Sequence, residues 1–97
     1  MEQLLNVLGG SEMALEDFYT ELQKSAQQMT LIQIDYESPR DGKFTTMRQC
    51  EPYKYDGTFL WAFDIAAGHI KKFYASGITN LISTDTPFTP RWPIEIT

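Results

Sequence analysis

Asp56-Gly57-Thr58-Phe59-Leu60-Trp61-Ala62-Phe63-Asp64 is the stretch on which the fold turns. Asp-Gly supplies the positive-φ position of a tight hairpin turn. The residues after it alternate, with Phe59, Trp61 and Phe63 pointing one way and Leu60 and Ala62 the other. Both faces are apolar, which predicts a third strand over Thr58–Asp64 covered on both sides. Phe59, Trp61 and Phe63 are expected inside, because a small barrel needs large side chains there.

Strand signals continue on either side. Phe44–Cys50 reads as a strand with Phe44, Thr46, Arg48 and Cys50 on one face. Pro52 interrupts it, and Tyr53–Tyr55 extends it. Leu31–Tyr36 alternates too, with Ile32, Ile34 and Tyr36 sharing a face. Between these two, Ser38-Pro39-Arg40-Asp41-Gly42 is turn chemistry. Downstream, Ala66-Ala67-Gly68-His69 turns the chain into Ile70–Tyr74, and Ile78–Thr84 is a fifth strand. Three prolines exclude regular sheet over Thr86–Pro93, which is expected to wrap the surface with Phe88 and Trp92 as anchors.

Ahead of the strands the period changes. Residues 2–8 are a short helical candidate, stopped by Gly9-Gly10. Ser11 is placed to cap a second helix over 11–28, with Glu12, Glu16 and Asp17 at its positive end. Leu15, Phe18, Tyr19, Leu22, Ala26 and Met29 recur at three- and four-residue spacings and form one stripe. The stripe is expected to pack on the strands. The alternative is a dimer seam or a partner groove, contacted through Glu16, Phe18, Tyr19 and Leu22. One helix and about five hairpin-linked strands give a mainly β, α+β chain, a small five-stranded Sm-like or SH3-like barrel. The expected organisation is a single domain: a helical segment over 1–29, the barrel over 30–90, and an extended tail over 91–97.

The chain has 97 residues, room for one core. It is 42% hydrophobic and 22% charged, a globular composition and not a disordered one. The formal net charge of -5 excludes a strongly basic nucleic-acid clamp at the level of the whole chain. The charge is uneven, however. Residues 1–29 carry Glu2, Glu12, Glu16, Asp17 and Glu21 against Lys24 alone. Arg40, Lys43, Arg48, Lys54, Lys71, Lys72 and Arg91 all fall in the strand region, so a local positive patch is compatible with an acidic whole. No apolar run approaches the length of a membrane span. The start, Met1-Glu2-Gln3-Leu4-Leu5, lacks the basic residues and apolar core of a secretory signal, and Cys50 has no disulfide partner. A cytoplasmic address without membrane contact is the expectation.

Catalytic motifs are missing. There is no Gly-x-Ser-x-Gly and no glycine-rich phosphate loop, and metal ligands are reduced to one Cys and one His far apart. Cys50 reads as a small core residue and His69 as an exposed loop residue. A non-enzyme without metal or cofactor is expected. What remains is an aromatic set beside a basic set. Tyr53, Tyr55 and Tyr74 read as surface rings near Arg48, Lys54, Lys71 and Lys72. Bases beside exposed rings are what a single-stranded nucleic acid or a phosphorylated ligand requires.

An ordered series of these pieces resembles the WYL domain over residues 30–90. It runs Ile32-Gln-Ile-Asp-Tyr36, Arg48-Gln-Cys-Glu-Pro52, Thr58-Phe-Leu-Trp-Ala-Phe-Asp64 and Ile70-Lys-Lys-Phe-Tyr-Ala-Ser-Gly-Ile78. Cys50 stands in the valine place of the family's Arg-x-Val-x-Pro, and Thr58-Phe59-Leu60 in the place of the naming tripeptide. The resemblance implies an Sm-like β-barrel. It also implies a regulatory module of bacterial or phage systems that senses ligands such as single-stranded DNA or nucleotide-like molecules. Carried onto this chain, the ligand residues are Arg48 and Lys71 first, then Lys72, Tyr53 and Tyr74. The chain departs from the pattern at Thr58, where the family has tryptophan, and at Tyr74 and Gly77, where it has basic residues. Twenty-nine residues ahead of the barrel are too few for the winged helix that often adjoins it.

The resulting expectation is a stand-alone, non-enzymatic regulatory or sensor module. It binds a nucleic-acid-type or other anionic ligand and modulates a larger partner; a homodimer is compatible with it. The alternative is a pure protein–protein interaction module with a vestigial ligand site. On the first reading, Arg48→Ala weakens binding and barely changes stability.

Overall fold

A computed structural model describes residues 13–97, so the helix expected over 2–8 and the Ser11 cap lie outside the described residues. Helix α1 spans Leu15–Gln28, and Ala14 holds its N-cap position without a side-chain cap bond. The Ala14 carbonyl accepts the first helical bond, from Phe18 N–H at 3.0 Å. Glu16 and Asp17 complement the positive end of the helix dipole. Met29 ends the helix in the left-handed region at φ 55°, and its N–H returns to the Ser25 carbonyl.

The buried stripe of α1 is Phe18, Leu22, Ser25 and Ala26. It is narrower than the sequence pattern suggested, since Leu15, Tyr19 and Met29 are exposed. Ser25 tolerates burial because its hydroxyl bonds those of Thr30 and Ser83 and the Leu31 carbonyl. Phe18 and Leu22 belong to the core, which corrects their reading as interaction residues. Leu22 has no exposed surface and Phe18 only 5%, which leaves them little to offer a partner.

Five antiparallel strands follow: β1 (Thr30–Glu37), β2 (Phe44–Tyr55), β3 (Phe59–Asp64), β4 (His69–Tyr74) and β5 (Ile78–Pro87). Their order in the sheet is β4-β3-β2-β1-β5. The helix and the five strands agree with the expected fold class. The ladder does not close, however. β4 and β5 are joined by the short turn Ala75–Gly77 and share no pairing, so the sheet is open. Both edges are managed by side chains. Helix α1 covers β5, where Leu81 N–H meets Met13 Sδ at 3.1 Å and Ser83 N–H meets Glu21 Oε1 at 2.8 Å. On β4, Tyr74 N–H donates to the Tyr36 hydroxyl at 3.1 Å.

Leu22, Ile32, Ile34, Cys50, Leu60 and Leu81 are fully buried in one cluster with Phe18, Tyr36, Phe73 and Ile78. Each large aliphatic side chain there contributes about 1.5–3 kcal/mol. Gly77 permits the close approach of the turn to β1. A Cβ at that position would lie 2.4 Å from the Glu37 carbonyl oxygen and 2.9 Å from the Tyr36 ring.

Four strand details depart from the sequence reading. β2 runs through Pro52 without interruption. Its pairing with β1 stops at Cys50, so the missing proline N–H falls where one side of the strand is unpaired. A bulge in β2 puts Met47 at φ 57°, its N–H held by Asp35 Oδ1 at 2.9 Å. The extra residue brings Thr45, in place of Thr46, opposite Tyr36. β5 extends past Thr84 to Pro87, which pairs with Thr30.

The largest departure is in β3, where Leu60, Ala62 and Asp64 are buried and Phe59, Trp61 and Phe63 are only partly so. None of those three rings belongs to the core cluster. The inner side of the sheet is already filled by α1, β1 and β5 side chains, and the small residues of β3 fit there. The rings take the roomier outer side.

Candidate functional site

The β2 bulge builds the site. By bringing Thr45 to the side of Arg48, it lets Arg48 Nε donate to Thr45 Oγ1 at 2.6 Å. Arg48 Nη1 donates to Asp64 Oδ2 at 2.8 Å. The guanidinium carbon stands 5.4 Å from the Phe73 ring and 5.9 Å from the Tyr36 ring, and those rings meet edge-on at 5.0 Å. Four neighbours therefore fix the arginine. No hydrogen bond within the described residues uses its Nη2.

Asp64 is the buried counter-charge, its side chain only 5% exposed. Lys71 Nζ lies 3.9 Å from the same oxygen, and Ala67 N–H donates to Oδ1 at 3.2 Å. The two cations over one carboxylate leave the group net positive.

Around Arg48 the structure opens a cleft of about 360 Å³. Arg40, Lys43, Arg48, Lys71 and Lys72 all line it, as do Tyr36, Phe73 and Tyr74. Five of the eight basic residues of an acidic chain thus converge on one cavity. The acidic residue on its wall is Asp41, and that carboxylate is turned to its own loop. It accepts from Lys43 N–H at 3.0 Å, a bond that holds its pKa below the usual carboxylate value. The cleft is suited to an anion: a guanidinium held in place, lysine ammonium groups beside it, and aromatic walls. The Tyr36 hydroxyl accepts from Tyr74 N–H, so its own proton remains to donate into the cavity.

Of the ligand residues expected from sequence, Arg48, Lys71, Lys72 and Tyr74 meet in this cleft, and Tyr53 does not. Tyr53 is 4% exposed on the opposite side of the sheet. Its hydroxyl donates to Glu51 Oε1 and accepts from Arg91 N–H at 2.9 Å. Burial raises its pKa to about 12. Its ring is covered by Phe88 and Trp92, the expected anchors of the tail, at 6.1 and 5.2 Å. A ring packed under its own chain cannot stack on a ligand, which corrects that assignment. Tyr55, also read as a surface ring, packs on Phe18 at 5.3 Å.

Sequence reasoning missed Arg40 and Lys43 as cleft residues. Both sit on the β1–β2 hairpin, far in sequence from β4, and only the bend of the sheet brings the two together. Cys50 is fully buried, and burial, with Asp64 adding to it, raises its thiol pKa to about 12. His69 is exposed and bonds the Ile70 carbonyl. No cluster of three metal-ligating side chains occurs among the described residues. No helix among them is long and apolar enough to cross a membrane. Glu16 and Tyr19, the remaining interaction residues expected from sequence, line an apolar groove with Leu15 and Tyr55.

No family model and no curated protein matches the chain. Among solved structures, proteasome accessory factor B/C (PafBC) of Arthrobacter aurescens is similar, with a TM-score of 0.62 at 14% identity. The match covers 94% of this chain and 16% of that one. The chain therefore corresponds to about one-sixth of the length of that protein, and at such identity the likeness is one of fold.

Proposed function

We propose that this chain is a non-enzymatic, WYL-like regulatory module that reads a phosphate-bearing ligand of the nucleotide or nucleic-acid type. The convergence of Arg40, Lys43, Arg48, Lys71 and Lys72 on one aromatic-walled cleft carries the reading. Arg48 accounts for specificity, because a guanidinium held by Thr45, Asp64 and two rings presents its free edge in one orientation. The lysines account for attraction. Gly77 and Tyr74, the departures from the family pattern, do not empty the site. Gly77 has no room for a side chain, and Tyr74 still lines the cleft. Ligand occupancy would be passed to a larger partner. The alternative of a pure interaction module loses Phe18 and Leu22, which are buried.

The test is a fluorescence-anisotropy titration of labelled short single-stranded DNA and RNA at low and moderate salt, with pyrophosphate as competitor. Saturable binding is expected, with log K falling by about 0.7 per neutralised phosphate per unit of log salt. Arg40→Ala and Lys43→Ala, both on the exposed hairpin, should weaken it with the melting temperature unchanged. No binding at low salt, or binding indifferent to both substitutions, refutes the cleft.

A further inference from the structure

The outer side of β3 carries Phe59, Trp61 and Phe63 where an antiparallel sheet ordinarily presents polar residues to water. The rings form a row. Tyr74 stands 5.0 Å from Phe59, Phe59 5.9 Å from Trp61, and Phe63 6.2 Å from Trp92. Cations lie over the row: Lys72 Nζ at 4.4 Å from Phe59, Lys54 Nζ at 5.0 Å from Trp61, and the Arg91 guanidinium at 4.0 Å from Phe63. Lys54 and Lys72 are exposed and enter no ion pair among the described residues. Their long side chains are free to swing from ring to phosphate. The row also joins the cleft, since Lys72 and Tyr74 line the cavity and touch Phe59 as well.

We propose that the outer side of β3 is a base-stacking subsite for single-stranded nucleic acid, continuous with the cleft across the β4 edge. The ligand of the cleft is then a strand, not a mononucleotide. Its phosphates sit among Arg48, Lys71 and Lys72, and successive bases lie on Phe59 and Trp61. Stacking is tolerant of base identity, because every base has a π-face. A protein partner fits the same surface less well, since the lysines over the rings leave no dry apolar centre of the kind hot spots occupy. The inference rests on the cleft binding phosphate, and the experiment separates the two.

In a Trp92→Phe background Trp61 is the sole tryptophan. Titration with a dT oligonucleotide of about ten nucleotides, a common single-strand site size, should quench its emission. A strand of equal length made of abasic sites should bind by its phosphates alone, with little quenching and affinity lower by about 10-fold or more. Trp61→Leu and, independently, Phe59→Leu should weaken the dT strand and leave the abasic strand unaffected. Equal affinity for both strands, with no quenching, overturns the stacking subsite and leaves the cleft standing. Failure of both strands to bind overturns the cleft as well. A concentration-dependent dimer dispersed by Trp61→Leu would assign the rings to a protein interface and also overturn the proposal.

Discussion

Arg48→Ala separates the structural work of this arginine from its ligand work. Asp64 is buried, and Arg48 is its partner at 2.8 Å, with Lys71 at 3.9 Å. Breaking a buried pair costs about 3–5 kcal/mol when the remaining charge is left bare. Here Lys71 and the Ala67 amide stay with the carboxylate, and the Arg48 side chain is 21% exposed. The expected loss is therefore about 2 kcal/mol, near half the full penalty. For a domain of this size that lowers the melting temperature by roughly 8–16 °C. Adding Asp64→Asn removes the buried charge and should recover about 1 kcal/mol. The assay is thermal unfolding of wild type, both single variants and the double variant, read as a double-mutant cycle. A melting temperature for Arg48→Ala within about 2 °C of wild type would refute the reasoning. It would restore the expectation from sequence that Arg48 serves the ligand and not the fold. Asp64→Asn alone should also raise affinity for the oligonucleotide, because it releases the guanidinium from its competitor.

Gly77→Ala should cost about 1–3 kcal/mol, because the new methyl meets the Glu37 backbone and the Tyr36 ring. An unchanged unfolding midpoint would show that the turn yields. Alkaline pH should destabilise the fold. The Cys50 thiol is raised from 9.0 to about 12 and the Tyr53 phenol from 10.0 to about 12, each chiefly by burial. The unfolded chain loses these protons first, so their contribution is whole below pH 9 and is lost as pH rises toward 12. In Cys50→Val the fall in melting temperature above pH 9 should be shallower; an identical slope would exclude the thiol.

The strand count, the turns and most of the cleft were legible in the sequence. Asp56-Gly57 works as read, with Gly57 at φ 95° and the Asp56 carboxylate accepting Thr58 and Phe59 N–H. Arg48, Lys71, Lys72 and Tyr74 could be named because they lie on two pieces of one ordered motif, the strands on either side of β3. Strand alternation was right for β3, but alternation does not say which face is inside. Ring size argued for Phe59, Trp61 and Phe63, and the crowded concave side chose Leu60 and Ala62. The Met47 bulge carries no glycine or proline, so nothing in the local sequence announced the change of face between Thr45 and Thr46. Tyr53 was misread because its cover comes from residues 88–92, a contact no local pattern reveals.

The position of β5 sets an order of events. β1 to β4 are neighbours in the sheet and in the chain, so each of their pairings closes a short hairpin. β5 instead returns past three strands to pair with β1, bringing Leu81 against Ile34 and Ile82 against Gln33. That closure spans nearly fifty residues and gains nothing until the intervening meander exists. α1, which packs mainly on β5, cannot find its seat before then. The docking of β5 onto β1, with α1 behind it, is thus expected to be a late step of folding.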